Sequence, residues 1–306
     1  MSTSPWPLLA DAFRDFRRTW PQLVLTDLLA RTLAVVIIAP AVGLLGKLFL
    51  WRTATGVVTD EAIVSFLLHP FGMAALVVMG AVSLGVLFAE TGQLMVIGFG
   101  AVEDRRVTWL EAVIYAYRRA VALVHLAGAA VVRLLLISVP FLAAGGGIYW
   151  LLVRAHDINY YLARKPPEFK AAAIAVGFLL TVLALIIAWK IASWLLALPM
   201  VLFEGKGGPQ ALKTSAQSIG AHRRKLTLWL LGWLAFSVLL SAAVTTVVGW
   251  LGSLTVSHGG SNITVLLIGL SVVIIVTGLA NLAVSVFTTV LFPLLVVRLY
   301  RSMAGP

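Results

Sequence analysis

Asp27 and Arg31 stand four residues apart, the spacing that brings two side chains together on one face of a helix, and both interrupt apolar sequence. Glu90, Gln93, Arg133, Lys190 and Asn281 also lie near the centres of long apolar runs. Ionisable groups in such places are costly, and two kinds of chemistry account for them. One is a pathway for a proton or a polar substrate. The other is charge pairing between helices, with long side chains snorkelling to an interface. Several runs are longer than a bilayer requires, which favours pairing. Glu90 is the most deeply placed acid, so Arg133 or Lys190 is its expected partner.

Catalytic chemistry has no comparable signal. No two of the five histidines are spaced as an H-x-x-x-H metal pair, and neither a G-x-S-x-G elbow nor a G-x-x-x-x-G-K-[ST] phosphate loop occurs. Glu103 and Asp104 adjoin arginines in "GAVEDRR" and read as a solvated turn. "GKGG", residues 205–208, could cradle a phosphate through backbone N–H groups, but such a run is more often a flexible exit from a helix. No catalytic residue, metal ligand or cofactor is assigned to this chain, and with no cysteine it has neither disulfides nor thiolate sites.

The elements that would position these residues are set by composition. Of 306 residues, 61% are hydrophobic and 11% charged, against roughly 25% charged in ordinary soluble domains; mean hydropathy is +1.02. A helix crossing the hydrocarbon needs roughly 20 mostly apolar residues. Six stretches qualify, at about 22–50, 72–100, 121–153, 169–203, 227–251 and 262–298. Barrel-type alternation is absent, so the sequence predicts an all-α integral membrane protein with six transmembrane helices. The first span lacks a signal-peptide cleavage site, so the N-terminus is expected to be retained.

Lys and Arg gather on one side: Arg14, Arg17 and Arg18, then Arg105, Arg106, Arg118 and Arg119, then Lys206, Lys213, Arg223, Arg224 and Lys225, and finally Arg298 and Arg301. Lys47, Arg52, Arg154, Arg164, Lys165 and Lys170 fall on the other. The positive-inside rule then predicts that both termini are cytoplasmic. A net charge of +11 points to anionic lipid headgroups on the inner leaflet and needs no nucleic acid.

"LLADAFRDFRRTWPQLVL" from Leu8 resembles "WLEAVIYAYRRAVALVHL" from Trp109, and "ALKTSAQSIGAHRRKLTLWL" from Ala211 is a third version. "QLMVIGFG" from Gln93, "PMVLFEG" from Pro199 and "PLLVVRLY" from Pro293 also match. The sequence therefore predicts one membrane domain over 1–306 with repeats at about 1–100, 101–206 and 207–306. Each repeat would be a short cytoplasmic amphipathic helix followed by a helical hairpin. In the first, Leu9, Phe13, Phe16 and Trp20 form the apolar face and Asp11, Arg14, Asp15 and Arg18 the polar one, as in a helix lying along the membrane.

"HDINYYLARKPPEF", residues 156–169, joins the third and fourth spans. Pro166 and Pro167 suit a helix start and Glu168 its positive end. Tyr160 and Tyr161 suit the membrane interface, and Asp157 and Asn159 a local turn. This stretch, with "WLLALPMVLFEGKGGPQALKTSAQSIGAHR" at 194–223, resembles the membrane domain of bacterial membrane-anchored glycerophosphodiester phosphodiesterases. The resemblance covers nearly the whole chain. It implies a role in lipid metabolism, anchoring or assisting a C-terminal catalytic barrel that cleaves glycerophosphodiesters with Mg²⁺ or Ca²⁺. That barrel's His-Arg-Gly and Glu-x-Asp motifs are not in this sequence, so the resemblance carries no catalytic residue over and the membrane domain is expected to be non-catalytic. The alternative from another class is a transporter or lipid-translocating protein using Glu90, Arg133 and Lys190.

Overall fold

The computed structural model describes residues 5–52, 66, 69–155, 158–258 and 263–304. Among these, helix is the only regular structure: α1 (Pro5–Arg52), α2 (Pro70–Val102), α3 (Trp109–Arg118), α4 (Ala120–Leu152), α5 (Ile158–Arg164), α6 (Pro167–Ser193), α7 (Ala197–Phe203), α8 (Gly208–Ile219), a 3₁₀ turn at Gly220–His222, α9 (Arg223–His258) and α10 (Ile263–Ala304). Among the described residues, six segments are long and apolar enough to cross a membrane, in α1, α2, α4, α6 with α7, α9 and α10. The protein is thus an all-α, multi-pass membrane protein. An even number of crossings returns the end of α10 to the side where α1 starts, termed the terminal side.

Local sequence sets the breaks between helices. Thr108 caps α3 in a reciprocal capping box with Glu111, satisfying two otherwise orphan N–H groups. α2 ends in a left-handed turn at Asp104 (φ 55°), where the N–H of Arg105 returns to the carbonyl of Gly100 at 2.8 Å, a Schellman closure. Gly205 (φ 70°) has the left-handed conformation that suits glycine in the exit from α7.

α1 differs from the sequence expectation. Residues 8–20 do not form a separate interfacial helix; they open a continuous helix of 48 residues, about 72 Å long. Its faces match the expected ones except at Asp15: Arg14 and Arg18 are exposed, but Asp15 is buried. Asp15 is 2% exposed and is buried with Ala12, Leu23, Thr26, Asp27 and Ala30, while Phe13 and Trp20 are exposed. The stripe packed against protein is the small and polar one, because close approach and interhelical hydrogen bonds hold membrane helices together, whereas large apolar side chains are at ease in lipid.

Clustering of contacts divides the chain into two compact units. Unit 1 comprises Met1–Ile37, Val86–Ala120 and Leu228–Pro306. Its core contains Leu94 and Ile97 of α2, Ala112 and Ala116 of α3, and Val290, Leu294 and Leu295 of α10. Arg298 donates to both carboxylate oxygens of Asp15, each at 2.7 Å, joining α10 to α1. On the surface Arg18 meets Asp104 at 2.9 Å, and Arg301 meets Glu103. The turn expected to be merely solvated is thus ion-paired, although exposed pairs contribute little stability.

Unit 2 comprises Ile38–Gly85 and Val121–Thr227. Ala197 to Leu202 of α7 are all buried. The break between α6 and α7 is held by Ser215 of α8, whose hydroxyl donates to the Ser193 carbonyl at 2.9 Å and accepts from the Leu196 N–H at 3.2 Å. α8 starts against the backbone of α4, where a Cβ on Gly208 would lie 2.5 Å from the Leu126 nitrogen and 2.6 Å from its Cα. Close helix approach therefore explains the last glycine of "GKGG". Gly208→Ala is expected to lower stability by about 2 kcal/mol through overpacking, read from a melting curve of purified protein. Gly207→Ala, where a Cβ meets nothing within 4 Å, should change it little.

The three matching segments are each buried: Gln93 to Gly98, Pro199 to Leu202, and Pro293 to Val297.

Candidate functional site

The most concentrated polar site lies in unit 1, where α1, α2 and α10 meet. Arg31 donates from Nε to Asp27 Oδ2 at 2.7 Å, the geometry that a four-residue separation permits on one helix. Its Nη1 donates to Ser285 Oγ at 2.9 Å, and its Nη2 to Thr289 Oγ1 at 3.1 Å. Asp27 is fully buried (0% exposed), and the carboxyl of Glu90 on α2 lies beside it. The charged neighbours of Glu90 are therefore Asp27 and Arg31, not the Arg133 or Lys190 expected from sequence. Geometrically, α1 brings a ready cation alongside α2 within the same unit, whereas Arg133 and Lys190 belong to unit 2.

All three guanidinium nitrogens of Arg31 are engaged by protein groups. The cluster can fix three helices and hold charge in apolar surroundings. The carboxyl pair does not fit a divalent cation, since Arg31 already occupies the Asp27 oxygens, and among the described residues no three His, Asp or Glu side chains converge on a metal position.

Asn281 forms a second clamp in unit 1. Its side-chain carbonyl accepts from Ser241 Oγ at 2.9 Å, and its amide donates to Thr245 Oγ1 at 3.1 Å and to the Thr277 carbonyl at 3.0 Å. This joins α9 to α10, and such interhelical bonds contribute about 1 kcal/mol each. Gln93 is buried in α2.

In unit 2, Arg133 is half-buried, with its Nη1 enclosed and without an acceptor. Lys190 is exposed near the end of α6. Arg223, at the start of α9, donates from Nη2 to the Ala216 carbonyl at 3.0 Å and lies 5.8 Å from the centre of the Trp189 ring.

Arg31 before Arg52, Glu90 after Pro70, Arg133 before Leu152 and Lys190 after Pro167 are each roughly 20 residues, or about 30 Å, from the far end of their helix.

On the far side, α5 contains Asn159, Tyr160 and Tyr161, where sequence suggests only a turn; Asp157 lies outside the described residues. Lys165 ends α5 in a left-handed conformation (φ 47°), and its N–H returns to the Tyr161 carbonyl at 2.9 Å. Tyr161 is buried and stacks on Phe169 at 5.8 Å, with Tyr160 edge-on to it at 5.5 Å. Pro166 caps α6, Pro167 opens it and Glu168 lies in its first turn.

The sequence offered little sign of Asp15 with Arg298, or of Ser285 and Thr289 as partners of Arg31. The only available hint was that Ser285, Thr289 and Arg298 interrupt sequence that is otherwise apolar.

One family model, described as the membrane domain of glycerophosphoryl diester phosphodiesterase, matches residues 9–304. No curated protein and no solved structure matches the chain.

Proposed function

We propose, from the premise that this chain belongs to the family of glycerophosphoryl diester phosphodiesterase membrane domains, that it is the non-catalytic anchor of such an enzyme. The observation that carries this reading is the family match over nearly the whole chain, supported by six helices long enough to cross a bilayer. A catalytic domain joined at the terminal side would be confined to the membrane surface. Confinement raises its effective concentration toward lipid-derived diesters without any new contact. The divalent metal, Mg²⁺ or Ca²⁺, belongs with that domain and supplies the Lewis acid there.

The membrane is a bacterial cytoplasmic membrane and the terminal side faces the cytoplasm. Exposed Arg14, Arg17, Arg105, Arg106 and Arg118 support this orientation by the positive-inside rule. They also draw anionic headgroups toward the anchor.

The purified chain, supplied with glycerophosphocholine and Mg²⁺ or Ca²⁺, is expected to release no glycerol 3-phosphate; turnover would overturn the anchor reading. The natural absence of cysteine allows single-cysteine labelling to test orientation. Arg105→Cys should react with a membrane-impermeant maleimide only in opened cells, and Arg164→Cys in intact ones. The reverse pattern would invert the topology.

A further inference from the structure

The two units treat their cations differently. In unit 1, Arg18, Arg31, Arg298 and Arg301 each meet a carboxylate. In unit 2 the described carboxylates are Glu168, at the start of α6, and Glu204, which pairs with Lys206 at 2.6 Å. Among the described residues, no ion pair includes Arg133, Lys190 or Arg223. Three enclosed side-chain polar atoms among the described residues lack a hydrogen-bond partner, and two of them are guanidinium nitrogens of this unit, Arg133 Nη1 and Arg223 Nε.

Arg223 is the better fixed of the two arginines. The Ala216 carbonyl engages Nη2 at 3.0 Å, and the ring of Trp189 stands 5.8 Å from the guanidinium carbon. Lys190 follows Trp189 directly in α6 and is exposed. The side chain of Arg223 is half-buried, with its Nε enclosed. A charged donor left without an acceptor costs about 1–3 kcal/mol or more, and unit 2 offers no described carboxylate to relieve this cost. Tryptophan is at home at the hydrocarbon edge of a bilayer, where lipid phosphates are the abundant anions. Planar guanidinium takes phosphate oxygens in a two-pronged fashion, and basic pockets between membrane helices are suited to acidic headgroups.

We infer that Arg223, backed by Trp189 and joined by Lys190, seats the phosphodiester headgroup of an anionic phospholipid on the terminal side of the membrane. The shared chemistry is a phosphate oxyanion, and the bilayer is its source. The seat is independent of any linked catalytic domain, so a failed turnover assay neither supports nor weakens it.

The test uses the full chain purified in a neutral detergent, followed by melting temperature during titration with phosphatidylglycerol, phosphatidylcholine or inorganic phosphate. Phosphatidylglycerol should stabilise the wild type in a saturable way, and its apparent affinity should fall about tenfold in Arg223→Gln, the loss of one charge-assisted contact. Lys190→Gln should weaken it in the same direction. Lys190 is exposed, so this variant keeps the test open if Arg223→Gln does not fold. Lys170→Gln, an exposed cation on the far side, should bind as the wild type does. Unchanged affinity in Arg223→Gln, or in Lys190→Gln where Arg223→Gln does not fold, would overturn the seat, as would an equal loss in Lys170→Gln. Equal stabilisation by inorganic phosphate or by phosphatidylcholine would overturn the anionic lipid as its ligand.

Discussion

Asp15→Ala is expected to cost about 3–5 kcal/mol of stability, the range for removing one partner of a buried ion pair. Arg298 places two nitrogens against the two carboxylate oxygens, each at 2.7 Å, and side-chain exposure is 2% for Asp15 and 24% for Arg298. Removing the carboxylate leaves a largely enclosed guanidinium with no counter-charge, and removing the guanidinium leaves a carboxylate with almost no access to water. Both single variants should therefore lose more than the double variant Asp15→Ala, Arg298→Ala, in which neither charge is stranded. Arg298→Lys should recover only part of the loss, because an ammonium cannot reproduce the fork. Denaturant titration of the four proteins closes the cycle. A coupling energy within about 0.5 kcal/mol of zero would mean that the pair behaves like an exposed one. The loss should be felt in unit 1 as a whole, since the pair joins the start of α1 to the end of α10, 283 residues apart in sequence.

That pair also marks the limit of what the sequence reveals. The six crossings were legible because lipid demands about 20 consecutive apolar residues, a signal that needs no partner to be identified. The matching segments from Gln93, Pro199 and Pro293 were visible as similarity, and each is buried. The burial of Asp15 was missed because an amphipathic pattern does not show which helix lies alongside its polar face. Phe13 and Trp20 are exposed, while Ala12 and Asp15 are buried against protein. Asp27 with Arg31 was legible because helical spacing is local, but Glu90 depended on which helix lay alongside, a tertiary fact. "GKGG" shows the same limit: only the backbone of α4 beside Gly208 reveals why its last glycine is there.

Arg31→Ala is the second substitution with a large expected effect, again about 3–5 kcal/mol. It removes the cation that contacts Asp27 on α1 and both Ser285 and Thr289 on α10, leaving the fully buried carboxyl of Asp27 beside that of Glu90. Two acids then share apolar surroundings with no basic group engaged between them. Glu90→Gln should instead cost less than about 1 kcal/mol, because glutamine has nearly the same shape and its amide can donate to Asp27. The contrast separates the two accounts of intramembrane charge. If the cluster exists to hold three helices, stability follows Arg31 and is nearly indifferent to Glu90. If Glu90 were a station on a transport pathway, Glu90→Gln would abolish movement of a proton or lipid in vesicles while the protein stayed folded. Melting of both variants, with a vesicle proton-flux assay on Glu90→Gln, reads each arm. The engagement of every Arg31 nitrogen by the protein itself favours the first, since a pathway needs a group whose partner can be exchanged, and an anchor needs partners that stay.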